Sequence, residues 1–351
     1  MATRDVFTDE ELDQLRRFPD ISREELIRYF TLTPADEAFV VARHGAANRL
    51  GAAVQLCSLP WLGFVPDDVV SAPPVAVARL SERLRIPVGE LVDYAGTSWI
   101  GLIVPSSNTT METELPELFR RQSEATGHRY TFHSARAGMK DVNPEELLAM
   151  VGKAADCAVA VSDADVDVIA YACLVAVMAQ GSDAHLKSES VIAEAAADNG
   201  HPAGVTSSAG ALVRTLQELG ARTVAMVTPY LKPLTKMVSD YVEGSGITVL
   251  DAVSLEVADN LAVGCLNPAN LPGIARNLQR EGADVIVLSA CLQMPSLPVV
   301  QRVEDELGVP VITAAIATAY EILKSLGHRP AITGAGSLLA GTVTSLTLSH
   351  V

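Results

Sequence analysis

Short apolar runs alternate with amphipathic stretches from about residue 99 onward. Alternation of this kind is typical of βαβ units built on a parallel sheet. The apolar runs predict strands at Ile100–Val104, Val166–Ala172, Thr223–Val227, Val285–Leu288 and Val311–Thr313. The amphipathic stretches predict helices at Glu112–Gln122, Pro144–Ala155, Ala209–Leu219, Pro233–Glu243, Pro272–Glu281 and Ala319–Leu326, and a short helix after Cys173.

The first 96 residues follow a different pattern. Three helix-start signatures there place a hydroxyl residue three positions ahead of a carboxylate: Thr8 to Glu11, Ser22 to Glu25 and Thr33 to Asp36. This segment has ten arginines and no lysine, whereas all six lysines of the chain follow it. We therefore predict a small all-helical domain over residues 1–96, of separate origin, ahead of an α/β region over residues 97–351.

The α/β region contains an internal repeat. The segment Asp167–Leu174 resembles Asp284–Leu292, and each places a cysteine, Cys173 or Cys291, where a buried strand ends. Ligands of parallel α/β sheets bind beyond the carboxyl ends of the strands. Two facing lobes would therefore direct both cysteines into one shared cleft.

The repeat predicts two pseudo-symmetric parallel-sheet lobes. We expect the first lobe to comprise about residues 97–200 with a C-terminal return over residues 310–351. The second lobe would then comprise about residues 201–309.

Composition and charge exclude several classes of function. The formal net charge of −16, from 26 Lys+Arg and 42 Asp+Glu, repels phosphate backbones and anionic lipids. The longest apolar run, Val168–Ala179, is shorter than the roughly 20 residues of a membrane span. Neither a membrane nor nucleic acid is expected as the main partner. The N terminus lacks the pattern of a signal peptide, and five cysteines without a CxxC pair favour reduced thiols in the cytoplasm.

The two strand-end cysteines are the candidate catalytic groups. Cys173 precedes a predicted short helix, and the positive end of a helix dipole lowers a thiol pKa toward the nucleophilic thiolate. Cys291 has the matching position in the second lobe. The other three cysteines fit the ordinary role of small buried hydrophobes: Cys57, Cys157 and Cys265.

Two polar helix starts are candidate carboxylate sites. Pro105–Glu112 joins a strand to a helix and offers small polar side chains with free backbone N–H groups. Thr109 and Glu112 have the spacing of a capping box, which does not require Asn108. The second, Thr206–Gly210, fits an anion site and a plain N-cap equally well.

Tyr230, directly after Pro229, occupies in the second lobe the place of Ser106 in the first. Its phenol fits a donor to an anion and a packed core residue equally well. The seven histidines have no metal-ligand spacing, and no dinucleotide fingerprint follows a strand. We expect neither a metal nor a cofactor.

Six stretches of the α/β region carry a resemblance to a known family. They are Gly101–Glu114, Tyr171–Val175, Thr206–Val213, Pro229–Thr235, Asp259–Leu261 and Leu288–Ser296. In this order they resemble the bacterial maleate cis-trans isomerases of the aspartate/glutamate racemase superfamily. The resemblance implies a cofactor-free, homo-oligomeric enzyme with two α/β lobes that converts maleate to fumarate, as in nicotinate degradation.

The resemblance also assigns roles to residues of the cleft. Cys173 would be the nucleophile and Cys291 the second thiol. The substrate carboxylates would be held by three hydrogen-bonding residues: Asn108, Tyr230 and Asn260. Many racemases of the superfamily follow the first cysteine with Asn and Thr. In this sequence Leu174 and Val175 follow the first cysteine, and the resemblance places both among the substrate-binding residues. Their apolar side chains argue against an amino-acid substrate.

Two alternative functions remain open. One is another reaction of the superfamily, such as amino-acid or hydantoin racemisation or arylmalonate decarboxylation, which would keep the thiols and change the substrate. The other is a DNA-binding or regulatory fusion protein whose α/β region senses a ligand. The two retained cysteines argue against the second alternative, because a sensor does not need them.

The helical segment resembles the N-terminal domain of Tn3-family transposases. The stretches that carry this resemblance are Phe18–Pro19, Glu25–Thr33, Asn48–Gly51, Gln55–Cys57, Leu62–Gly63 and Pro66–Asp67. In that family the region helps to engage transposon ends, yet here ten arginines face fifteen Asp+Glu. We expect a passenger domain created by gene fusion, with DNA binding through an arginine patch as the alternative.

Overall fold

The structure is a computed structural model that describes residues 18–41, 46–63, 69–93 and 97–343. The chain divides into two compact units. The helical unit is Met1–Thr97 with Ser123–Arg129, and the α/β unit is Ser98–Gln122 with Tyr130–Val351. Within the described part, no helix combines the length and apolarity that a membrane span requires.

The helical unit contains four described α-helices around a small apolar core. They are α1 (Arg23–Tyr29), α2 (Pro34–Val41), α3 (Ala46–Leu62) and α4 (Pro74–Leu84), with 3₁₀ turns at Val69–Ser71 and Val88–Asp93. Ser22 and Glu25 form the predicted capping box of α1, with reciprocal bonds of 3.3 and 2.8 Å. The predicted start at Thr8 lies outside the described residues. Apolar side chains form this core, including Phe30 directly after α1 and Leu50 of α3.

The α/β unit contains two four-stranded sheets with the same topology, in the orders β2-β1-β3-β4 and β6-β5-β7-β8. The first sheet consists of β1 (Thr97–Pro105), β2 (Arg129–Ala137), β3 (Val168–Tyr171) and β4 (Gly204–Ser207). The second consists of β5 (Thr223–Thr228), β6 (Thr248–Ser254), β7 (Val285–Ser289) and β8 (Val311–Thr313). The pairings β1–β3, β3–β4, β5–β6, β5–β7 and β7–β8 are parallel. Two lobes of equivalent topology are therefore confirmed.

Helices cover the sheets and enclose one continuous hydrophobic core. Those between β1 and β4 are α5 (Met111–Thr126), α6 (Pro144–Gly152), α7 (Ala154–Ser162), α8 (Leu174–Met178) and α9 (Ala184–Asp198). The later ones are α10 (Ser208–Leu219), α11 (Lys232–Gly244), α12 (Asn260–Gly264), α13 (Leu271–Arg276), α14 (Val300–Leu307) and α15 (Ala314–Ser325). 3₁₀ turns at Pro268–Asn270 and Leu297–Val299 complete the described elements.

All five predicted strands are present, and three further strands escaped prediction. β2 and β6 lie at sheet edges and consist mainly of half-buried and exposed positions, so they lack a continuous apolar run. β4 has only four residues and includes a glycine, a threonine and a serine. The apolar criterion therefore finds the buried strands and misses these edges.

The predicted lobe boundaries are wrong at two strands. β4 pairs with β3 in the first sheet although it follows residue 200, and β8 pairs with β7 in the second although it follows residue 310. The chain passes from the first lobe to the second after β4, and returns to the first lobe after β8, so each passage comes one strand later than predicted. The pairing partner of a strand decides which sheet it joins, and the sequence does not reveal that partner. Helix α15 packs on α10, β3 and β4.

Candidate active site

Both repeated cysteines lie in the wall of one cavity, as the internal repeat predicts. Cys173 follows β3 at the N-cap position of α8, and Cys291 follows β7. The two residues are only 4% and 5% exposed. Matching strand ends in the two lobes thus place two buried thiols at a single site.

The cavity lining is neutral and rich in hydrogen-bonding groups. All seven predicted site residues line it: Asn108, Cys173, Leu174, Val175, Tyr230, Asn260 and Cys291. The remaining lining residues are Pro105, Met139, Val142, Ala172, Leu292 and Gln293. None of the described residues in this lining carries a charged side chain. An anion bound here would depend on amide, hydroxyl, thiol and backbone dipoles.

The Cys173 thiol differs from the expectation drawn from its helix position. Burial raises its pKa from 9.0 to about 12, and the hydrogen bond from the Ala176 N–H opposes this shift without overcoming it. The prediction that the helix lowers the pKa of Cys173 is therefore wrong for the protein without bound substrate. The five-residue helix α8 is too short to offset the loss of solvent around the sulfur.

Cys291 has more partners for its sulfur. The Gln293 backbone N–H donates to Sγ at 3.3 Å. Burial raises the Cys291 pKa, while hydrogen bonds from Tyr230 and from the backbone of Gln293 and Met294 lower it. The site can therefore stabilise a negative charge on Cys291 once one forms.

Asn108 is held with its amide nitrogen toward the second lobe. Its Oδ1 accepts from the Thr110 and Met111 backbone N–H groups at 3.0 and 2.9 Å, which caps α5. Its Nδ2 lies 3.4 Å from the Leu292 carbonyl oxygen. The predicted capping box of Thr109 is wrong: Asn108 supplies the cap and thereby orients its own N–H₂ group.

Tyr230 and Asn260 complete the polar wall from the second lobe. Burial, together with the neighbouring Cys291, raises the Tyr230 pKa well above its usual value, so the phenol keeps its proton. Asn260 begins α12, and its Nδ2 donates to Ser107 Oγ at 2.7 Å. Both residues therefore present hydrogen-bond donors at the cavity.

Glu114 stabilises the segment that follows Cys291. This buried carboxylate on α5 accepts the Ser296 and Leu297 backbone N–H groups at 2.6 and 2.7 Å. Its burial raises its pKa. The first lobe thus fixes the end of the loop that carries the second thiol.

The second polar helix start is a structural cap. Ser207 Oγ accepts from the Gly210 N–H at 3.1 Å and donates to Glu189 at 2.7 Å. Arg214 pairs with the same carboxylate at 3.1 Å. An internal carboxylate thus occupies the position where a ligand anion would bind, and the segment is outside the cavity lining.

The lining residues to which sequence reasoning assigned no role include Met139, Val142 and Gln293. Met139 and Val142 lie between β2 and α6, where no periodic pattern marks their position. Gln293 lies in the Leu288–Ser296 stretch, where a polar residue two positions after the cysteine was the available signal. Among the described residues, no group of three or more His, Cys, Asp and Glu has the arrangement of a metal site.

The helical unit has relatives among transposases. Residues 6–98 match the family model described as "Domain of unknown function (DUF4158)". A 95-residue stretch is 37% identical to the transposase of transposon Tn3926 from Escherichia coli, covering 27% of this chain and 9% of the transposase. The chain therefore spans about a tenth of that relative's length.

The α/β unit has relatives along nearly their full length. Residues 100–339 match the arylmalonate decarboxylase family model. The maleate isomerase of Alcaligenes faecalis is 53% identical over 243 residues, covering 69% of this chain and 96% of that enzyme. A solved Nocardia farcinica maleate cis-trans isomerase, a Cys-to-Ser variant with a covalently bound succinylcysteine intermediate, superposes with a TM-score of 0.67. It shares 48% identity, covering 70% of this chain and 98% of that one. The chain therefore belongs to the family of maleate isomerases and arylmalonate decarboxylases.

Proposed function

We propose that the α/β unit catalyses the cofactor-independent cis–trans isomerisation of maleate to fumarate, with Cys173 as the nucleophile. The pairing of two buried thiols across a neutral, donor-rich cavity carries the proposal. The trapped succinylcysteine of the Nocardia farcinica relative is the product expected when a thiol adds to maleate.

Addition of sulfur removes the barrier to rotation. A full C=C bond resists rotation more strongly than the partly double peptide bond, whose barrier is about 18–20 kcal/mol. When Cys173 Sγ bonds to one vinyl carbon, the π electron pair moves to the other carbon and its carboxylate. The central bond becomes single, with staggered wells and low barriers between them.

Each thiol has a separate proton to transfer. The Cys173 proton passes to the adjacent substrate carboxylate during attack, because the described lining offers no carboxylate, imidazole or amine. Cys291 then delivers its proton to the carbanionic carbon, giving a succinyl thioether and a Cys291 thiolate. Tyr230 and the backbone N–H groups that lower the Cys291 pKa stabilise this thiolate.

The second half of the reaction reverses these steps after rotation. The Cys291 thiolate removes the proton it donated, and the electron pair reforms the double bond as the bond between Cys173 Sγ and carbon breaks. The departing Cys173 sulfur takes back its proton from the substrate carboxyl group, so both thiols are regenerated. Negative charge accumulates on the carboxylate next to the carbanion. Fixed donors on Asn108 and Asn260 are placed to bind the carboxylates, and such preorganised groups usually supply much of the rate acceleration.

The neutral lining favours this reaction over amino-acid racemisation. An amino-acid substrate carries an ammonium group, and the described lining holds no carboxylate to pair with it. Leu174 and Val175 instead present apolar surface next to Cys173. A panel of maleate, aspartate, glutamate, hydantoins and arylmalonates separates the candidate reactions.

The full chain and its Cys173→Ala variant test the proposal, with Cys57→Ala as the matched buried-cysteine control. Proton NMR follows the vinyl signals of maleate and fumarate. We expect fumarate from the parent and the control, and a loss of at least about 10³-fold in Cys173→Ala. Mass spectrometry of Cys291→Ala with maleate should locate a succinyl group on Cys173. Turnover by Cys173→Ala near the parent rate, or labelling of the parent on Cys291 alone, would refute the assignment.

We propose that the helical unit is a passenger of gene fusion. Two of its arginines stabilise its own fold: Arg79 donates to the Phe30 carbonyl oxygen at 2.9 Å, and Arg83 pairs with Glu37. An electrophoretic mobility-shift assay of the full chain at physiological salt tests this. Sequence-selective DNA binding would overturn the proposal.

We further propose that the enzyme forms a homo-oligomer in the cytoplasm, where its thiols remain reduced. Size-exclusion chromatography with light scattering tests the assembly. A mass of one chain would contradict it.

A further inference from the structure

The side chain of Gln293 is buried at the site and has no role in the reaction just proposed. It follows Cys291 by two positions and is 3% exposed. Its side chain lines the cavity beside the two thiols. A buried primary amide needs partners for both its oxygen and its nitrogen.

The Gln293 amide joins the two lobes through hydrogen bonds. Its Oε1 accepts the Thr109 backbone N–H at 2.8 Å. Its Nε2 donates to the Ser107 and Asn260 carbonyl oxygens at 3.1 and 3.0 Å. One side chain therefore connects the turn after β1 to the start of α12.

Those two segments carry the proposed carboxylate donors. Asn108 lies in the turn, between the two residues that the amide contacts, and Asn260 is itself a contact. The Asn260 Nδ2 bond to Ser107 Oγ, at 2.7 Å, closes the network from the other side. The backbone N–H of Gln293 itself donates to Cys291 Sγ. Gln293 thus connects both donor segments to the second thiol.

Gly264 shows how closely the chain approaches this amide. A Cβ atom at that position would lie 2.7 Å from Gln293 Nε2 and 2.6 Å from Thr109 Oγ1. Real Cβ atoms do not approach other heavy atoms so closely, so the amide would have to move. Glycine therefore permits the present position of Gln293.

We infer that Gln293 is a positioning residue that fixes the spacing of Asn108 and Asn260, and thereby fits the cavity to a substrate with two carboxylates. The inference rests on the proposed function. Donors held at a fixed spacing keep the reacting carbons of maleate near the sulfur when the addition begins. A misplacement of about 1 Å in such a holder costs on the order of 10²-fold in rate.

Three variants of the full chain test the inference. Gln293→Met keeps the side-chain length and removes every side-chain hydrogen bond. Gly264→Ala displaces the same amide without altering it. Gln217→Met is the control, because Gln217 is exposed and its amide donates to the Ser245 carbonyl oxygen at 3.3 Å, outside the cavity lining.

The principal readout measures binding and does not require turnover. Iodoacetamide labels Cys173, and mass spectrometry measures protection by succinate, a dicarboxylate, and by propionate, a monocarboxylate. For Gln293→Met and Gly264→Ala we expect at least tenfold weaker protection by succinate, with protection by propionate changed less than threefold. The kcat for maleate should fall by about 10²-fold. Gln217→Met should match the parent in every measurement.

A purely structural role for Gln293 would weaken protection by both acids equally or by neither. Either outcome in a folded variant overturns the inference. If circular dichroism shows that Gln293→Met does not fold, Gly264→Ala decides by the same criteria. A parent that binds succinate without converting maleate would refute the proposed reaction and leave this measurement decisive for Gln293.

Discussion

The reactivity of Cys173 toward a neutral alkylating agent is the sharpest test of the site's electrostatics. Two effects compete at this thiol: the N-terminus of α8 favours the thiolate, and burial favours the thiol. Burial prevails in the structure and raises the pKa from 9.0 to about 12. The test varies the pH and measures the rate at which Cys173 is alkylated in the absence of substrate.

The magnitude follows from two opposing factors. The higher pKa reduces the thiolate fraction at neutral pH by about 10³-fold. A more basic thiolate is also a better nucleophile. With a Brønsted slope of about 0.4–0.5, the intrinsic reactivity of the thiolate rises roughly 16- to 32-fold. Cys173 should therefore react about 30- to 60-fold more slowly than an unperturbed thiol at pH 7, before any steric hindrance from its burial.

The assay uses iodoacetamide with peptide mapping by mass spectrometry. The exposed Cys265 provides an internal reference within the same chain. Because the thiolate forms as pH rises, the Cys173 rate should increase about tenfold per pH unit from pH 7 to 10 without a plateau. Maleate turnover should not show this tenfold rise per pH unit, because in the proposed reaction the Cys173 proton passes to the substrate during attack.

Two results would refute this reasoning. One is alkylation of Cys173 as fast as that of Cys265 at pH 7. The other is a plateau in the Cys173 rate below pH 8. Either would mean that the pKa of Cys173 is not raised in the resting enzyme and that the helix terminus at least offsets burial.

Three further substitutions test individual contacts. Glu114→Leu should destabilise the fold by about 2–6 kcal/mol because two buried N–H groups lose their acceptor. Glu114→Gln and the half-buried control Glu117→Leu on the same helix should each change the free energy of unfolding by less than about 1 kcal/mol in denaturant titrations. A small effect of Glu114→Leu would contradict this. Tyr230→Phe should lower kcat for maleate by about 10²-fold, because the Cys291 thiolate loses a donor; an unchanged kcat would exclude this role. Tyr171→Phe should leave the denaturation midpoint unchanged or raise it, since its buried hydroxyl has no hydrogen-bond partner among the described residues; a clear decrease would show that the hydroxyl is satisfied.

The placement of the two cysteines follows from the sequence because it depends on a local signal. An apolar run predicts a buried strand, and the residue after a parallel strand lies at the edge where ligands bind. The duplication of the run around Cys173 and Cys291 adds the expectation of a shared cleft. The structure places both thiols in one cavity.

The features that the sequence did not predict depend on contacts between distant segments. Burial, rather than the neighbouring helix, sets the pKa of Cys173. Gln293 acquires its partners from residues more than 30 positions away along the chain. The pairing of β4 with β3 decides that β4 belongs to the first lobe. None of these contacts leaves a periodic pattern, so sequence spacing alone cannot identify them.

The packing of α15 on the first sheet affects the order in which a ribosome can complete this fold. Residues Ala314–Ser325 pack on β3 and β4, whose last residue precedes that helix by about a hundred positions. The first lobe therefore remains partly uncovered until nearly all of the α/β unit has been translated. A foreign segment joined ahead of β1 emerges before this interleaved unit and interrupts none of its pairings. An insertion or break between β4 and α15 would separate parts that must meet, which restricts the gene fusions that this fold can tolerate.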